Sequence, residues 1–306
     1  MKTRATREEA RDRSVVIGAM LFWTAIFLVI VLRDPMWRMF YEGRIVSAAP
    51  TATGWLALNA DSLQALARAP VDPGTGVTDV EDAFRAAVIA QRDALPAAEP
   101  ARSPLVASDS LRTLARARAA ARLTAAAAGA NAPVELRYPD VSVALAMPTR
   151  LLRVAEIAQV LHRPLDPGSS LPRETVGGWM NQLEFATALA EPAHLELGVG
   201  AVPGAQPGSG PSVDAFLVEV FAELDKPLPA VTSSATPLTF SGRRVGDEDL
   251  PLFIKGPADA SFVPLAAQWS QGTFRATLDW KQGPGLYAIR AQRGRRISDA
   301  RPVLAQ

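Results

Sequence analysis

The 306-residue chain has no cysteine, two histidines and few lysines. Missing thiols exclude disulfides, thiolate nucleophiles, cysteine-bound zinc and iron–sulfur clusters. His162 and His194 are the only imidazoles, so a multi-histidine metal centre is excluded and an imidazole base has two candidates. An excess of charge of one sign is also lacking. The 32 Lys and Arg stand against 31 Asp and Glu, which leaves no global field to gather DNA or RNA and removes nucleic acid from the expected partners. No Walker motif occurs, and no dinucleotide fingerprint precedes a suitable helix. The basic residues are mostly arginine, beside abundant alanine and 25 prolines, a composition that reads as GC-rich bacterial coding bias.

What is present begins with one long apolar run. Residues 14–32, SVVIGAMLFWTAIFLVIVL, carry no charge. About 19 residues in a helix just span a hydrocarbon core of roughly 30 Å, so the run predicts a transmembrane helix over 14–33. Lys2, Arg4, Arg7, Arg11 and Arg13 precede it, and the positive-inside rule then makes 1–13 a cytoplasmic tail. The expected location is the bacterial inner membrane, single-pass, with the bulk of the chain periplasmic. A signal peptide has a shorter apolar core of about 7–15 residues with a small-residue cleavage site soon after, whereas Ser47-Ala48-Ala49 comes late; the anchor is expected to stay uncleaved. Trp37, Phe40 and Tyr41 then fall at headgroup level, where they meet lipid or a neighbouring membrane subunit. The run holds no histidine for a haem and no ionisable residue for an ion path.

Residues 34–78 read as an interfacial segment and linker, with a helical patch at Trp55–Ala69. Thr78-Asp79-Val80-Glu81 has the capping-box pattern and opens a helix to about Leu95, on which Phe84 and Val88 share a face. Ser108 is the expected N-cap of a helix from Asp109 to about Ala127. Leu111, Leu114, Ala115 and Ala119 point inward on it, and the pairs Arg112/Arg116 and Arg118/Arg122 form a basic outer face. A third helix is expected over Thr149–Leu161, and a fourth after Ser169 and Ser170, with Pro172 in its first turn, to about Leu189. Strands follow at His194–Val202 and Asp214–Phe221. Beyond Pro227 and Pro229 helical periodicity gives way to short strands at Leu252–Lys255, Phe262–Trp269, Thr273–Trp280 and Leu286–Arg293. Phe274, Ala276, Leu278 and Trp280 share one face, a spacing that predicts a small antiparallel sandwich over 226–306.

Trp179-Met180-Asn181, then Leu189, Pro192 and Glu196-Leu197-Gly198-Val199-Gly200, ending in Val218-Glu219-Val220-Phe221, resembles the C-terminal signature of the CAP superfamily of antigen 5-like and pathogenesis-related proteins. Ala90-Gln91-Arg92 and the Ala-rich helix after Ser110-Leu111 are in register with that family's earlier helices. The resemblance covers about half the chain, 79–225, and implies an α-β-α sandwich. It also implies a cleft, at positions carried by Arg118, Trp179, Phe185 and Glu196. Family members hold two histidines and two acids there. Here Arg118 and Phe185 stand at the histidine positions, and no carboxylate lies in 143–147, where the middle acidic motif belongs. The cleft chemistry is therefore expected to be lost and the fold retained.

The expected fold class is α+β: a single N-terminal transmembrane helix, a CAP-like α-β-α sandwich and a C-terminal Ig-like antiparallel β-sandwich. The expected function is non-enzymatic, a membrane-anchored scaffold or accessory subunit of a bacterial inner-membrane complex, with no cofactor, no metal and integral membrane protein subunits and the lipid bilayer as partners. A photosynthetic reaction-centre and light-harvesting assembly is one complex such a subunit would suit. The alternative is lipid or small hydrophobic ligand binding by the CAP-like domain, marked by an open apolar groove near Trp179 and Phe185. Gly246-Asp247-Glu248-Asp249 reads as a solvated turn rather than a calcium loop. Arg290, Arg293, Arg295 and Arg296 form the strongest basic cluster, either a solvated tip or a patch for an acidic partner.

Overall fold

The segment Ser212–Leu224 is a single thirteen-residue strand in which only one residue is not buried. A strand buried on both faces reads as a near-continuous apolar run, and the rest of the fold is arranged around this one. The computed structural model describes residues 58–306, apart from 69–71, 99–100, 129–135, 137–138, 163, 166–167, 194 and 207. In chain order its elements are α1 (Ala60–Ala67), α2 (Thr78–Asp93), β1 (Leu105–Ala107), α3 (Asp109–Ala128), α4 (Pro139–Ala146), β2 (Arg150–Val160), α5 (Leu171–Trp179), α6 (Leu183–Ala190), β3 (Leu195–Val202) and β4 (Ser212–Leu224). Then come β5 (Val231–Thr232), β6 (Leu238–Arg244), β7 (Leu252–Lys255), β8 (Val263–Leu265), β9 (Ala267–Ser270), β10 (Thr273–Leu278), β11 (Gly285–Arg293), β12 (Arg296–Ile297) and β13 (Arg301–Ala305).

One edge of β4 pairs antiparallel with β2 along its whole length. The other is shared: β3 takes Ser212–Glu219 and β6 takes Ala222–Leu224. The seven-stranded sheet therefore runs β1-β3-β4-β6-β10-β9, with β2 on the far side of β4. Along β4, Phe216, Val218 and Val220 pack with Leu111, Leu114 and Ala115 of α3. On the opposite face, Gln159 of β2 accepts a hydrogen bond from Trp179 Nε1 of α5 at 2.7 Å, and α6 packs on β2. Helices thus cover both faces of this half of the sheet.

The second sheet, β5-β13-β11-β7-β8 with β12 on β11, lies against the other half. Phe221, Phe240, Phe274 and Leu278 from the first sheet, with Trp280 just past β10, meet Tyr287, Ile289 and Val303 from the second in one core. Alternation along β11 turns Leu286 and Ala288 outward, where Leu63 and Leu66 of α1 and Val141 and Leu145 of α4 cover them.

Five expectations are corrected. Thr149–Leu161 is strand β2, not a helix: its residues are buried on both faces, so apolar positions fall at helical and strand spacing alike. The helix to Leu189 is two helices, broken at Met180–Gln182, where the Asn181 side chain donates to Gly178 O at 2.7 Å. The capping box does not form, since Val77 precedes α2 without a side-chain cap; Glu81 is drawn instead to Arg116 and to the edge of β3. The fold class is not a CAP-like module followed by a separate Ig-like sandwich. β6, β10 and β9 continue the sheet of β3 and β4, because the buried half-edge of β4 beyond Glu219 needs a partner. Nor does a transmembrane helix belong to the described architecture: among the described residues no helix is long and apolar enough to cross a membrane, and 14–33 lies outside them.

Close approach of α3 to the sheet requires Gly198 and Gly200. A Cβ at Gly200 would stand 2.2 Å from the backbone nitrogen of Arg116, and one at Gly198 2.5 Å from the Leu111 carbonyl carbon. Gly200→Ala should therefore lift α3 and cost about 1–3 kcal/mol, read as a lower denaturation midpoint. Gly177→Ala is the control: its Cβ meets nothing within 4 Å inside α5, and helix propensity makes it neutral or stabilising by up to about 1 kcal/mol.

Candidate functional site: a buried arginine–carboxylate cluster

The glycine-lined seat brings one face of α3 onto β2 and β4. Arg118 and Arg122, one helical turn apart, point into the sheet rather than into solvent; they are 2% and 8% exposed. Their partners are Glu156 of β2 and Asp214 of β4, the latter fully buried. Arg118 Nη2 donates to both oxygens of Glu156 at 2.9 Å, and its Nε donates to Glu156 Oε1 at 3.0 Å. Arg122 Nε donates to Asp214 Oδ1 at 3.1 Å and Oδ2 at 3.2 Å, while its Nη2 donates to Glu156 Oε1. The Arg118 guanidinium also lies 5.7 Å from the centre of the Phe216 ring. Two guanidinium groups and two carboxyl groups close on one another, and their hydrogen bonds offset part of the cost of desolvating each. The expected basic outer face of α3 is corrected: it holds for Arg112, which is paired to the exposed Asp109, but Arg118 and Arg122 face inward because the glycines draw that face of α3 onto the strands.

Two further clusters tie the elements together. At the start of α2, Glu81 accepts from Arg116 Nε at 2.5 Å and Nη2 at 2.7 Å, and from the Ala201 backbone N–H at 3.0 Å. At the junction of the two sheets, Glu219 of β4 accepts from Arg296 at 2.6 Å and Arg293 at 3.3 Å, with Arg153 3.7 Å away. Burial raises the Glu219 carboxyl, and the three arginines pull it back. The arginine patch for an acidic partner is thereby placed differently from expectation. Arg293 is buried and Arg296 half-buried on Glu219, Arg290 lies 4.3 Å over the Phe262 ring, and Arg295 alone is exposed. The β11–β12 hairpin folds over β4, so an internal carboxylate is what meets the cluster.

The four positions implied by the CAP resemblance do not converge. Trp179 and Phe185 do meet, edge to face at 5.6 Å, with Phe84 stacked on Trp179 at 5.4 Å; all three are fully buried. Arg118 lies on the opposite face of the sheet, and Glu196 pairs with Arg150 at 2.8 Å. His162 is exposed, and His194, Trp37, Phe40 and Tyr41 lie outside the described residues. Glu248 and Asp249 are exposed and pair with Arg296 and Arg244 at 3.6 Å. Among the described residues no group of three or more His, Asp or Glu is placed to hold a metal ion. A cleft between α2, α3 and β3, lined by Glu81, Asp82, Arg85, Asp109, Arg112 and Val199, has a volume of about 20 Å³, room for one water molecule. The sequence reading missed Glu156 and Asp214. Their signal is an acid flanked by apolar residues within a buried strand, Ala155-Glu156-Ile157 and Val213-Asp214-Ala215, which calls for a buried cation.

Comparison with protein-family models and with curated proteins gives no match. The CAP resemblance accordingly rests on the residues quoted for it.

Arg122→Met should cost about 3–5 kcal/mol, because it strands Asp214 and part of Glu156 in the interior. Removing the exposed Arg85–Asp82 pair by Arg85→Met should change stability by less than about 1 kcal/mol, and urea titration compares the two. Burial raises the Asp214 carboxyl from 3.8 to about 7, against the pull of Arg122 and Arg118. The folded chain then holds a proton that the unfolded chain has lost, so this contribution to stability is full below about pH 4 and is lost as pH rises toward about 7. Asp214→Asn removes the slope. Thermal unfolding of the two proteins should show the wild type gaining on the variant as pH falls through that window.

Proposed function

We propose that the chain is a non-enzymatic, protein-binding subunit, a scaffold or accessory component of a larger assembly. The observation that carries this reading is the commitment of the buried acids. Glu81, Glu156, Asp214 and Glu219 are each held by arginine, so none is left as a proton acceptor aimed into a cleft. Ion-paired clusters of this kind fix the relative placement of helices and strands, which a scaffold needs and which adds nothing to bond-making chemistry.

The alternative of small hydrophobic ligand binding finds less support. Phe84 stacks on Trp179 and Phe185 meets it edge to face, and the three rings occupy the apolar space that a lipid chain would take. The proposed partners are other protein subunits. Residues 14–33, on which a membrane location would rest, lie outside the described residues.

Native purification of the full chain in mild detergent tests the reading. A defined set of proteins should co-purify in stoichiometric amount. A chain that emerges alone overturns the scaffold reading, and lipid extracted from it in stoichiometric amount would move the function to ligand binding.

A further inference from the structure

The two sheets each end in a strand on the side where the chain crosses between them. There the chain leaves β8, the edge of the second sheet, and after Ala266 enters β9, the edge of the first. An edge strand offers unpaired N–H and C=O groups to any other strand, and proteins commonly guard it with lysine, proline or a bulge. β8 carries Pro264. β9, Ala-Gln-Trp-Ser, carries no such guard.

The hairpin geometry tells which groups of β9 are available. Gln271 and Gly272 both have positive φ, 48° and 81°, as a two-residue type I′ loop requires. The loop-flanking pair, Ser270 and Thr273, then exchanges backbone hydrogen bonds, and alternation makes Trp269–Phe274 and Ala267–Ala276 the non-bonded pairs. The N–H and C=O of Ala267 and Trp269 therefore point away from β10, toward the open edge.

Both faces of that edge have a defined character. On the inner face Trp269 packs on the buried Phe274 at 5.1 Å but stays 40% exposed. On the outer face Gln268 pairs with Arg275, which is exposed and is the only charged side chain from Ala267 to Leu278. Among the described residues Arg275 has no ion-pair partner. A strand added beyond β9 would stand about 10 Å from β10, a gap that an extended arginine and a glutamate bridge together.

We propose that β9 is a docking edge for an extended acidic segment of a partner protein. The segment adds as a strand through the Ala267 and Trp269 backbone, sets an apolar side chain over Trp269 and sets a carboxylate beside Gln268 within reach of Arg275. This rests on the protein-binding reading and names its contact surface. A second copy of the chain matches the edge less well, since its own β9 supplies Gln268 and no carboxylate.

The test titrates the full chain into a fluorescein-labelled seven-residue peptide of alternating valine and glutamate, and into its valine–lysine counterpart, with anisotropy as the readout. The glutamate peptide should bind about tenfold tighter than the lysine peptide. Ala267→Pro removes an outward N–H without touching a β9–β10 hydrogen bond, and should weaken binding about tenfold. Arg275→Glu, at an exposed position, should reverse the preference between peptides and decides the matter should the proline variant unfold. Equal binding of both peptides, or unchanged binding by either variant, overturns the proposal. In native purification, a partner retained by Ala267→Pro overturns the docking edge and leaves the protein-binding reading standing. A wild type that captures nothing overturns that reading, while the peptides still decide the edge. A wild-type dimer in sedimentation that Ala267→Pro dissociates assigns the edge to a second copy and overturns the acidic occupant.

Discussion

A strand buried on both faces must have its edges filled and each charge on it neutralised, since water reaches none of them. β4 imposes that constraint on the whole structure. Its backbone takes β2 on one side and divides the other between β3 and β6. Its two deeply buried carboxylates, Asp214 and Glu219, point to opposite faces, since they are five residues apart in a strand of period two. Each recruits arginine from a different part of the chain: Asp214 from α3, and Glu219 from the β11–β12 hairpin and β2. The same strand thereby holds the helical half and the two-sheet half in register.

The edges of the neighbouring strands follow similar logic. β2 has a free edge away from β4, and Asp299 closes part of it: its N–H donates to Leu152 O at 2.8 Å and its carboxylate accepts from Val154 N–H at 2.7 Å. β3 runs past the end of β1, and the first turn of α2 takes over, with Val77 N–H donating to Ala201 O and Glu81 accepting from Ala201 N–H. Side chains and a helix start stand in where a strand would be expected. β9 is the contrast, an edge with neither a cap nor a guard.

Much of this was legible along the chain, in parts. The alternation of Phe274, Ala276, Leu278 and Trp280 marks a half-buried strand, and all four side chains lie in the inter-sheet core. Leu111, Leu114 and Ala115 mark the inner face of α3 correctly. The failures share a cause. β2 has apolar residues on both faces, so its periodicity is ambiguous. Arg118 and Arg122 have the spacing of a solvated stripe, and nothing local distinguishes that from a buried pair with distant acids.

Local chemistry by itself determined the absence of thiol and multi-histidine sites, the near-neutral charge, most element types from Thr78 onward and the apolar faces of α3 and β10. These depend on composition and on spacings of a few residues. Tertiary structure alone decided which strand β4 would pair with beyond Glu219, that Arg122, 34 and 92 residues away in sequence, would pair with Glu156 and Asp214, and that β9 would be left at an open edge. Each of those outcomes depends on contacts between segments far apart in the chain. Burial decides them, because a desolvated charge or an unpaired backbone group must find a partner wherever the fold supplies one.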